Sequence, residues 1–456
     1  MIIMKFGGSS IKNTEAMRRV AGIVQKRQQQ QPLIVLSALG GVTDQLIRMH
    51  NAALEQRDEQ IATEISALQN RHRAMLNDLI PAGAIYDEVH YFLNHEFKRL
   101  KTLLDAVKAI KVFSSELYNS VIGLGEMLST RLFEGYLRAR GLSAVWLDVR
   151  PVMVVEQNGE EITPLLEEIE KQARVRFDHH LQNGMLIVTQ GFLATTRNGA
   201  PATLGRDGSD YTASLLGAAL KVKEIQIWSD VDGILSADPT IIKEAQPLPF
   251  MTFEEACELA YFGARVLHPA TIQPALTHGI PVRVLNSHFP DEPGTLIVPD
   301  YEETKHQAIK SIAYKENITL LTIESSRLLL SPKAIEDIFD ILTRHGKKVY
   351  AVTKSATKLS VTIQNNGNDN RFLDDLKRFG RLTVEPRKTV VSVVGEGMKA
   401  NPLLTWQIIK MLHEAGIKIE LISQFARQIS MMFIIDEQDI PRTVELIHAR
   451  LIAGGG

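Results

Sequence analysis

Residues 203–220, TLGRDGSDYTASLLGAAL, place one arginine and two aspartates around two glycines, immediately before a segment with helical spacing of apolar residues. A glycine-rich turn that opens a helix typically binds phosphate, because free backbone N–H groups and the positive end of the helix dipole point outward. Two carboxylates in such a turn would repel a phosphate. Arg206 could bind a carboxylate through two parallel hydrogen bonds, which Ser209 and the helix N–H groups would complete. The turn therefore suits an amino acid better than a bare phosphate, with Asp210 facing an ammonium group or orienting Lys5.

Lys5 is a candidate for neutralising a polyanion. It stands near the end of an apolar stretch, and the two glycines that follow leave room for a phosphate chain to approach. A solvated lysine at a strand end is the alternative, but so apolar a stretch offers little solvent. A helix cap is likewise the alternative for Ser209 or Asp210. Capping does not explain Arg206 between the glycines.

Three more polar loops follow apolar stretches: SALGGVTD (37–44), GLGEMLST (123–130) and SDVDGILSADPT (229–240). In an open parallel sheet, ligands bind outside the carboxyl ends of the strands, so loops of this kind converge on one cleft. No glycine-rich loop ends in Gly-Lys-Ser or Gly-Lys-Thr, which excludes a Walker A sequence. The pattern predicts a single polar cleft at one edge of a sheet.

Composition and charge limit the class of protein. The chain has 456 residues, of which 45% are apolar and 23% charged, and its formal net charge is -2. These values predict a globular protein of two or three domains, with no nucleic-acid or anionic-membrane partner. The single Cys257 excludes an intramolecular disulfide and fits a reducing cytosol. No signal peptide and no apolar run of about 20 residues is visible, so we expect a cytoplasmic protein.

Five short apolar stretches, bounded by glycine, proline or asparagine, are typical of buried strands. They are MIIMKF, PLIVLSAL, GMLIVTQGF, EIQIWSDV and IPVRVLNS. Helix patterns such as NTEAMRRVAGIVQKR alternate with them, which predicts an α/β sandwich with a mainly parallel sheet up to about residue 300. Residues 44–118 have helical periodicity without a convincing strand, and we expect a helical elaboration there.

A domain boundary is expected within 288–307, where three prolines and several acidic residues cluster. Beyond it, ITLLTIES, SPKAIEDIFDILTRHG, KVYAVTKS and KLSVTIQN give the order strand, helix, strand, strand. The same order recurs from TVVSVVGEG to QISMMFIID, and a glycine follows the helix in each copy. This repetition predicts a duplicated small α/β module.

Six motifs, in order, resemble aspartate kinase: KFGGSS, VLSALGGVTD, GLGEMLST, VTQGFLATTRNGAPATLGRDGSDYTA, IWSDVDGILSADP and YFGARVLHPATI. On these motifs the chain is similar to the aspartokinases, which are amino-acid kinases with C-terminal paired ACT domains. The resemblance implies a catalytic domain over 1–300, an amino-acid-kinase-like α/β sandwich with a mainly parallel central sheet. Two ferredoxin-like (ACT) α+β modules would occupy 301–456. The first module would span about 317–385, and the second about 386–456 with a contribution from 305–316.

The resemblance also implies an activity. Aspartate kinase transfers the γ-phosphoryl group of ATP to the side-chain carboxylate of L-aspartate, which gives 4-phospho-L-aspartate and opens the synthesis of lysine, methionine and threonine. Mg²⁺ would be held mainly by the phosphates of ATP, without a metal site on the protein. A carboxylate nucleophile is already ionised at neutral pH, so catalysis reduces to alignment and neutralisation of charge.

The motifs assign residues to each substrate. Lys5 and Asp210 would be catalytic, Lys5 on the phosphates and Asp210 organising the catalytic groups. Thr43 and Glu126 would contact aspartate, whereas alone they would be interpreted as a helix cap and a solvated or ion-paired residue. The full ATP set is Lys5, Gly7, Gly8, Ser9, Ser229, Asp230, Asp238 and Arg265, and the full aspartate set is Thr43, Glu126, Arg206, Gly208 and Ser209.

Some positions depart from the family pattern. The family often has lysine where this chain has Arg265, and tyrosine where it has Leu235, which affects the affinity for ATP. His268 is interpreted as structural.

Lysine-sensitive relatives tend to carry acidic residues where this chain has Tyr350 and near Ala356. Without them a lysine effector would lack a partner for its ammonium group, which leaves threonine, another amino acid or weak regulation.

The resemblance also implies an effector site and an assembly. An end-product amino acid would bind the first ACT module near Leu328, Ser331, Val349 and Tyr350. The ACT modules would pair in a homodimer, with a tetramer as a further possibility. Two other functions stay open from sequence: a catalytically silent amino-acid sensor of the same fold, and a kinase for glutamate or N-acetylglutamate.

Overall fold

The computed structural model of the chain describes residues 1–159, 161–263, 269–299, 308–325, 332–364, 371–401, 403–424 and 428–452. The chain divides into two compact units, and the division is not a single cut. The first unit comprises Met1–Ile234, Pro247–Phe253 and Val266–Asp300, and the second Leu235–Gln246, Glu254–Arg265 and Tyr301–Gly456. The domain boundaries expected from the sequence stay predictions.

The described part of the chain up to residue 300 contains both strands and helices. The strands are β1 Ile2–Phe6, β2 Pro32–Leu36, β3 Ala144–Trp146, β4 Val154–Asn158, β5 Glu161–Pro164, β6 Leu186–Gln190, β7 Leu193–Thr196, β8 Pro201–Thr203, β9 Ile225–Ser229, β10 Phe250–Thr252, β11 Val282–Asn286 and β12 Thr295–Val298. The helices are α1 Thr14–Lys26, α2 Val42–Leu54, α3 Asp58–Leu79, α4 Ala84–Ile110, α5 Ser115–Ile122, α6 Leu124–Ala139, α7 Leu166–Gln182, α8 Gly208–Leu220, α9 Phe253–Tyr261 and α10 Pro269–Thr277.

The five strands predicted from apolar stretches form the centre of the main sheet. Its order is β10-β12-β11-β9-β1-β2-β6-β3, and its pairs are parallel except β11 with β12. Every residue of β1, β2 and β6 is buried, because helices cover both faces of a parallel sheet. The register places Lys5 beside Val35 and Ile227, so Lys5 lies near the carboxyl end of a central strand.

Residues 44–118, for which the sequence predicts a helical elaboration, contain most of α2, all of α3 and α4, and the start of α5, with no strand. A second, four-stranded sheet with the order β5-β4-β7-β8 was not predicted. Its strands β4 and β5 are short and partly exposed, so their apolar residues give no strong pattern. Within the described part of the chain, none of the helices combines the length and the apolarity needed to cross a bilayer.

The second unit contains the duplicated module. Its strands are β13 Ser311–Glu324, β14 Val349–Lys354, β15 Lys358–Gln364, β16 Arg381–Val394, β17 Leu421–Ser423 and β18 Ser430–Asp436, and its further helices are α11 Pro332–Arg344, α12 Arg371–Lys377, α13 Gly397–Ala400, α14 Leu403–Glu414 and α15 Ile440–Ile447. The strands form an antiparallel sheet in the order β14-β15-β13-β16-β18-β17. The predicted order of strand, helix, strand, strand is present in each copy.

Two long strands connect the copies. The first part of β13 pairs with the end of β16, Ser311 opposite Val394, and the end of β13 pairs with the start of β16, Glu324 opposite Arg381. Irregular pairing near Ile318 separates the two halves. Each long strand therefore serves both copies. Each copy has its own apolar core, around Ile338 in the first and Phe433 in the second.

Candidate active site

Lys5 and Asp210 form a buried ion pair. The Nζ atom of Lys5 lies 2.6 Å from Oδ1 of Asp210, and their side chains are 10% and 12% exposed. Lys5 comes from β1 and Asp210 from the first turn of α8. A charge buried to this extent requires a partner, because an unpaired one would cost several kcal/mol. The pair therefore fixes a cation at the carboxyl end of the central strand.

A cavity of about 480 Å³ opens beside this pair. Its walls come from the ends of β1 and β2, the starts of α2, α6 and α8, helix α5, and the turn after β6. The lining residues are Lys5, Gly7, Gly8, Ser37, Thr43, Ile47, Tyr118, Ile122, Glu126, Phe192, Thr203, Gly205, Arg206, Asp207, Gly208, Ser209 and Asp210. Both predicted catalytic residues and all five predicted aspartate contacts are in this set, so the structure brings them together.

Arg206 projects from the turn before α8. The turn is left-handed at Gly205 and at Asp207, with φ of 73° and 54°. A side chain at Gly208 would not fit, since its Cβ would lie 2.8 Å from the ring of Phe192. The Arg206 side chain is 93% exposed, and its Nε lies 3.8 Å from a carboxylate oxygen of Asp207. The guanidinium group is therefore available to a ligand of the cavity.

Glu126 is the buried carboxyl group of the cavity. It is 3% exposed, and its Oε1 accepts a hydrogen bond of 3.0 Å from the backbone N–H of Ala38. Its Oε2 is buried and has no hydrogen-bond partner among the described residues. Burial raises the pKa of Glu126 to about 8, although the N–H of Ala38 opposes the shift. An ammonium group in the cavity would satisfy Oε2 and favour the ionised form.

Ser37 joins two walls of the cavity and was missed as a site residue. Its Oγ donates a hydrogen bond of 3.0 Å to Oγ of Ser209, which ties the end of β2 to the start of α8. In the sequence, only its position in the loop SALGGVTD, directly after an apolar stretch, indicates that Ser37 could belong to the site. Phe192 was also missed: it has a left-handed φ of 70°, and its position in the cavity depends on the turn after β6.

The predicted nucleotide contacts are only partly at this cavity. Gly7 and Gly8 line it, and Ser9 follows them in a 3-10 helix. Ser229 ends β9, the strand next to β1, and accepts a hydrogen bond of 3.4 Å from the N–H of Val231. Asp230 is exposed beside it. Neither lies in the cavity lining, and their role stays a prediction.

Asp238 and Arg265 are the remaining predicted nucleotide contacts. Arg265 lies outside the described residues, as does His268. Asp238 belongs to the second unit, where its Oδ1 accepts hydrogen bonds from the N–H and the hydroxyl of Thr240, and its Oδ2 accepts one from Tyr314. This carboxylate therefore has a structural role in its own unit, and its nucleotide role stays a prediction.

The predicted effector segment is described in part, since Leu328 and Ser331 lie outside the described residues. The hydroxyl of Tyr350 donates a hydrogen bond of 2.8 Å to Gln364. The carbonyl of Val349 accepts one of 3.3 Å from Tyr261. The Nζ of Lys348 lies 5.4 Å from the ring centre of Tyr350, so a cation is already present beside this segment.

The metal expectation was that Mg²⁺ arrives with the phosphates. Within the described ranges, no group of three or more His, Cys, Asp or Glu side chains could hold a metal ion. The association of Mg²⁺ with the phosphates of ATP stays a prediction.

Gly8 packs too closely against the loop after β2 to accept a side chain. Its carbonyl accepts a hydrogen bond of 3.0 Å from Gly40, and a Cβ at Gly8 would lie 2.8 Å from the carbonyl oxygen of Ala38. Gly8→Ala is therefore expected to displace the loop, to destabilise the protein by about 1–3 kcal/mol and to raise KM for ATP. Thermal unfolding and ATP saturation curves measure both.

Gly22→Ala is the matched control. Gly22 lies within α1, and its added Cβ would meet no atom within 4 Å. Alanine is the better helix former by about 1 kcal/mol, so this variant should melt at a higher temperature with unchanged KM. Equal behaviour of the two variants would contradict the close packing at Gly8.

Comparison with known proteins gives the family. The model of the amino acid kinase family matches residues 1–286, and an ACT domain model matches residues 391–451, within the second copy. Aspartokinase 1, chloroplastic, of Arabidopsis thaliana is 32% identical over 470 residues, which covers 99% of this chain and 80% of that protein. The chain belongs to the aspartokinase family. The family resemblance and the fold class inferred from the motifs are confirmed.

Bacterial relatives match along their whole length. The lysine-sensitive aspartokinase 3 of Escherichia coli strain K12 is 31% identical, with 99% of each chain covered. The crystal structure of E. coli aspartokinase III with aspartate and ADP, in the R-state, has a TM-score of 0.82 at 31% identity, with 99% of each chain covered. The T-state structure with lysine and aspartate has a TM-score of 0.84 at 30% identity and the same coverage. This aspartokinase therefore has the fold of the E. coli enzyme.

Proposed function

We propose that this aspartokinase phosphorylates the side-chain carboxylate of L-aspartate with ATP in the cavity between Lys5 and Arg206. The observation that carries the proposal is the lining itself. One cavity presents a fixed cation at a glycine pair, an exposed guanidinium group and a buried carboxyl with an oxygen that has no partner among the described residues. A phosphate chain, an α-carboxylate and an ammonium group are the three ligand groups that these features complement.

Lys5 acts on the phosphoryl group. An oxygen of the aspartate side chain attacks the γ-phosphorus, an O–P bond forms, and the bond to the β,γ-bridging oxygen breaks with release of ADP. No proton is transferred, because the nucleophile is already a carboxylate. The ammonium of Lys5 stabilises the charge on the moving phosphoryl group, while Asp210 holds that ammonium in place.

The opposite end of the cavity binds the amino-acid part of aspartate. Arg206 binds the α-carboxylate in a two-pronged contact, and Glu126 accepts from the ammonium group. Ser209 and the N–H groups at the start of α8 complete the anion contact. Thr43 adds a hydroxyl from the start of α2. The side-chain carboxylate is thereby directed towards Lys5.

ATP enters as its Mg²⁺ complex. Gly7, Gly8 and Ser9 bring backbone and hydroxyl donors to the phosphates. Ser229 and Asp230 lie at the end of the neighbouring strand and contact the nucleoside. Mg²⁺ held by the phosphates would supply positive charge to them.

A substrate panel tests the function. Aspartate-dependent ADP release with MgATP is expected, and glutamate and N-acetylglutamate should give little. ADP release with glutamate instead of aspartate would assign the site to a glutamate-type kinase. Binding of aspartate by calorimetry with no ADP release would indicate a silent sensor and would overturn the proposal.

Regulation is proposed for the second unit. The E. coli relative is lysine-sensitive by name, and lysine is bound in one of its structures. We extend this to an end-product amino acid that binds near Val349 and Tyr350, in a cytoplasmic homodimer paired through the ACT modules. The ammonium of Lys348 beside this segment would repel the side-chain ammonium of a lysine effector. Threonine has no such group and is therefore expected to inhibit more than lysine. Rates with lysine, threonine and methionine, singly and in pairs, measure this.

The pKa of Glu126 predicts a pH dependence for aspartate binding. Burial raises that pKa to about 8, so the empty site holds a neutral carboxyl at lower pH. Binding of an ammonium group requires the carboxylate and therefore releases a proton. The KM for aspartate should fall as pH rises from about 6.5 towards 8 and then level off. The other charged groups of the cavity are Lys5, Arg206, Asp207 and Asp210.

Glu126→Gln is the control for this titration. It should bind aspartate weakly and show no such fall in KM. The stability of the variant relative to wild type should increase with pH between about 4.5 and 8. In this range the carboxyl of Glu126 ionises in the unfolded wild-type chain but stays neutral in the folded one, which favours unfolding of the wild type. Melting temperatures across this range measure the sign, and parallel curves for the two proteins would contradict the raised pKa.

A further inference from the structure

A buried hydrogen-bond network centred on Thr130 lies behind Glu126. The Thr130 side chain is fully buried, and its hydroxyl donates a hydrogen bond of 2.6 Å to the backbone carbonyl of Glu126. The same oxygen accepts bonds of 2.9 Å from Nε1 of Trp146 and 3.1 Å from Nε2 of Gln190. A hydroxyl offers one donor and two acceptor positions, so every position of this one is used.

Gln190 anchors the network to the main sheet. It ends β6 and is fully buried. While its Nε2 donates to Thr130, its Oε1 accepts a hydrogen bond of 2.9 Å from the backbone N–H of Val149. Trp146 ends β3, the neighbouring strand. The first turn of α6 is therefore fixed against two strands through a single hydroxyl.

Ser129, the preceding residue, reaches a different wall of the cavity. It is fully buried, and its hydroxyl donates a hydrogen bond of 2.7 Å to the backbone carbonyl of Ser37. The side chain of Ser37 in turn donates to Ser209 at 3.0 Å. Two consecutive residues of α6 thus hold the backbones of Glu126 and Ser37, whose own side chains line the cavity.

We propose that Ser129 and Thr130 are positioning residues for the aspartate end of the cavity. Neither lines the cavity, so neither touches the substrate. Thr130 sets the place of Glu126 through the first turn of α6, and Ser129 sets the place of Ser37 and, through it, Ser209. The inference rests on the proposed function, because it assumes that this end of the cavity binds the amino acid.

The decisive variant is Thr130→Val, which keeps the shape and removes the hydroxyl. It leaves two donors, on half-buried Trp146 and fully buried Gln190, without this acceptor, so the first turn of α6 must shift. We expect KM for aspartate to rise about tenfold or more, because misplacement by about 1 Å is costly at a site. The KM for ATP and kcat should stay within about twofold. Thr130→Ser retains the hydroxyl, and its KM for aspartate should be close to the wild-type value.

Thr189→Val is the matched control. Thr189 is also fully buried, and its hydroxyl donates a hydrogen bond of 2.8 Å to the carbonyl of Leu147, away from the cavity. A structural role alone would make both valine variants melt lower with a wild-type KM for aspartate, and that result overturns the inference. If Thr130→Val does not fold, Ser129→Ala decides: a raised KM for aspartate supports the inference and an unchanged one overturns it. Absence of aspartate-dependent turnover in the wild type would instead remove the proposed function.

Discussion

Replacement of Lys5 with methionine is expected to lower kcat for aspartate-dependent ADP formation by about 10²–10³-fold, as when one preorganised donor to a transition state is removed. Methionine keeps the apolar stem in its buried position but removes the charge that lies 2.6 Å from Asp210. Steady-state kinetics measure the loss, and circular dichroism with thermal unfolding confirms that the variant is folded.

The same change leaves the Asp210 carboxylate buried without its partner, which lowers stability. The double variant Lys5→Met/Asp210→Asn removes both charges, so its melting temperature should recover while kcat stays low. Lys26→Met loses only an exposed ion pair with Asp291 and should keep the wild-type kcat. A wild-type kcat in Lys5→Met would contradict the assignment of Lys5 to the phosphoryl group.

Arg206→Ala should act on aspartate and not on ATP. A charge-assisted hydrogen bond contributes about 1.5–3 kcal/mol, which corresponds to a rise in KM for aspartate of about 10- to 100-fold. The exposure of the free side chain, 93%, means that its removal leaves no buried partner, so the melting temperature should be unchanged. Arg206→Lys keeps the charge without the planar fork and should give an intermediate KM. Saturation curves for each substrate separate the two effects.

Arg197→Ala provides the comparison for Arg206. Arg197 is an exposed arginine of the same unit, paired with Glu168, and it is not part of the cavity lining. Its replacement should leave both KM values unchanged. Wild-type aspartate saturation in Arg206→Ala would show that another group binds the α-carboxylate.

Much of the candidate site followed from residue types at strand ends. Lys5 stands near the end of an apolar stretch and just before two glycines, and Arg206 and Asp210 stand within or just after a glycine-rich turn that opens a helix. The carboxyl ends of parallel strands meet at one edge of a sheet. Their convergence needed only local patterns and this topological rule. Thr43 and Glu126 required the family resemblance, because nothing in their immediate sequence separates them from a helix cap and an ordinary helix residue.

The remaining parts of the site depend on contacts between distant elements. The hydrogen bond from Ser37 to Ser209 spans 172 positions in sequence, and the bond from Gln190 to Thr130 spans 60. No local pattern encodes such a pairing. The burial that raises the pKa of Glu126 to about 8 is likewise a property of the packed helices around it.

The fold shows the same division. Buried strands such as β1 and β2 were predictable, because burial on both faces leaves few polar positions, and Lys5 is the one charged residue in these two strands. The strands β4 and β5 have only five and four residues, and most of these are partly or fully exposed. So short a segment gives no reliable hydrophobic pattern. The continuity of β13 and β16 across both copies of the duplicated module depends on pairing between them, which the local sequence does not encode.

The most direct measurement traps the product. Wild-type protein with MgATP, aspartate and hydroxylamine is expected to give aspartate hydroxamate in amounts equal to the ADP released, because an acyl phosphate is captured by that nucleophile. The signal should depend on aspartate and be lost in Lys5→Met. ADP release without hydroxamate, or no release of either with folded wild-type protein, would contradict phosphoryl transfer to the side-chain carboxylate.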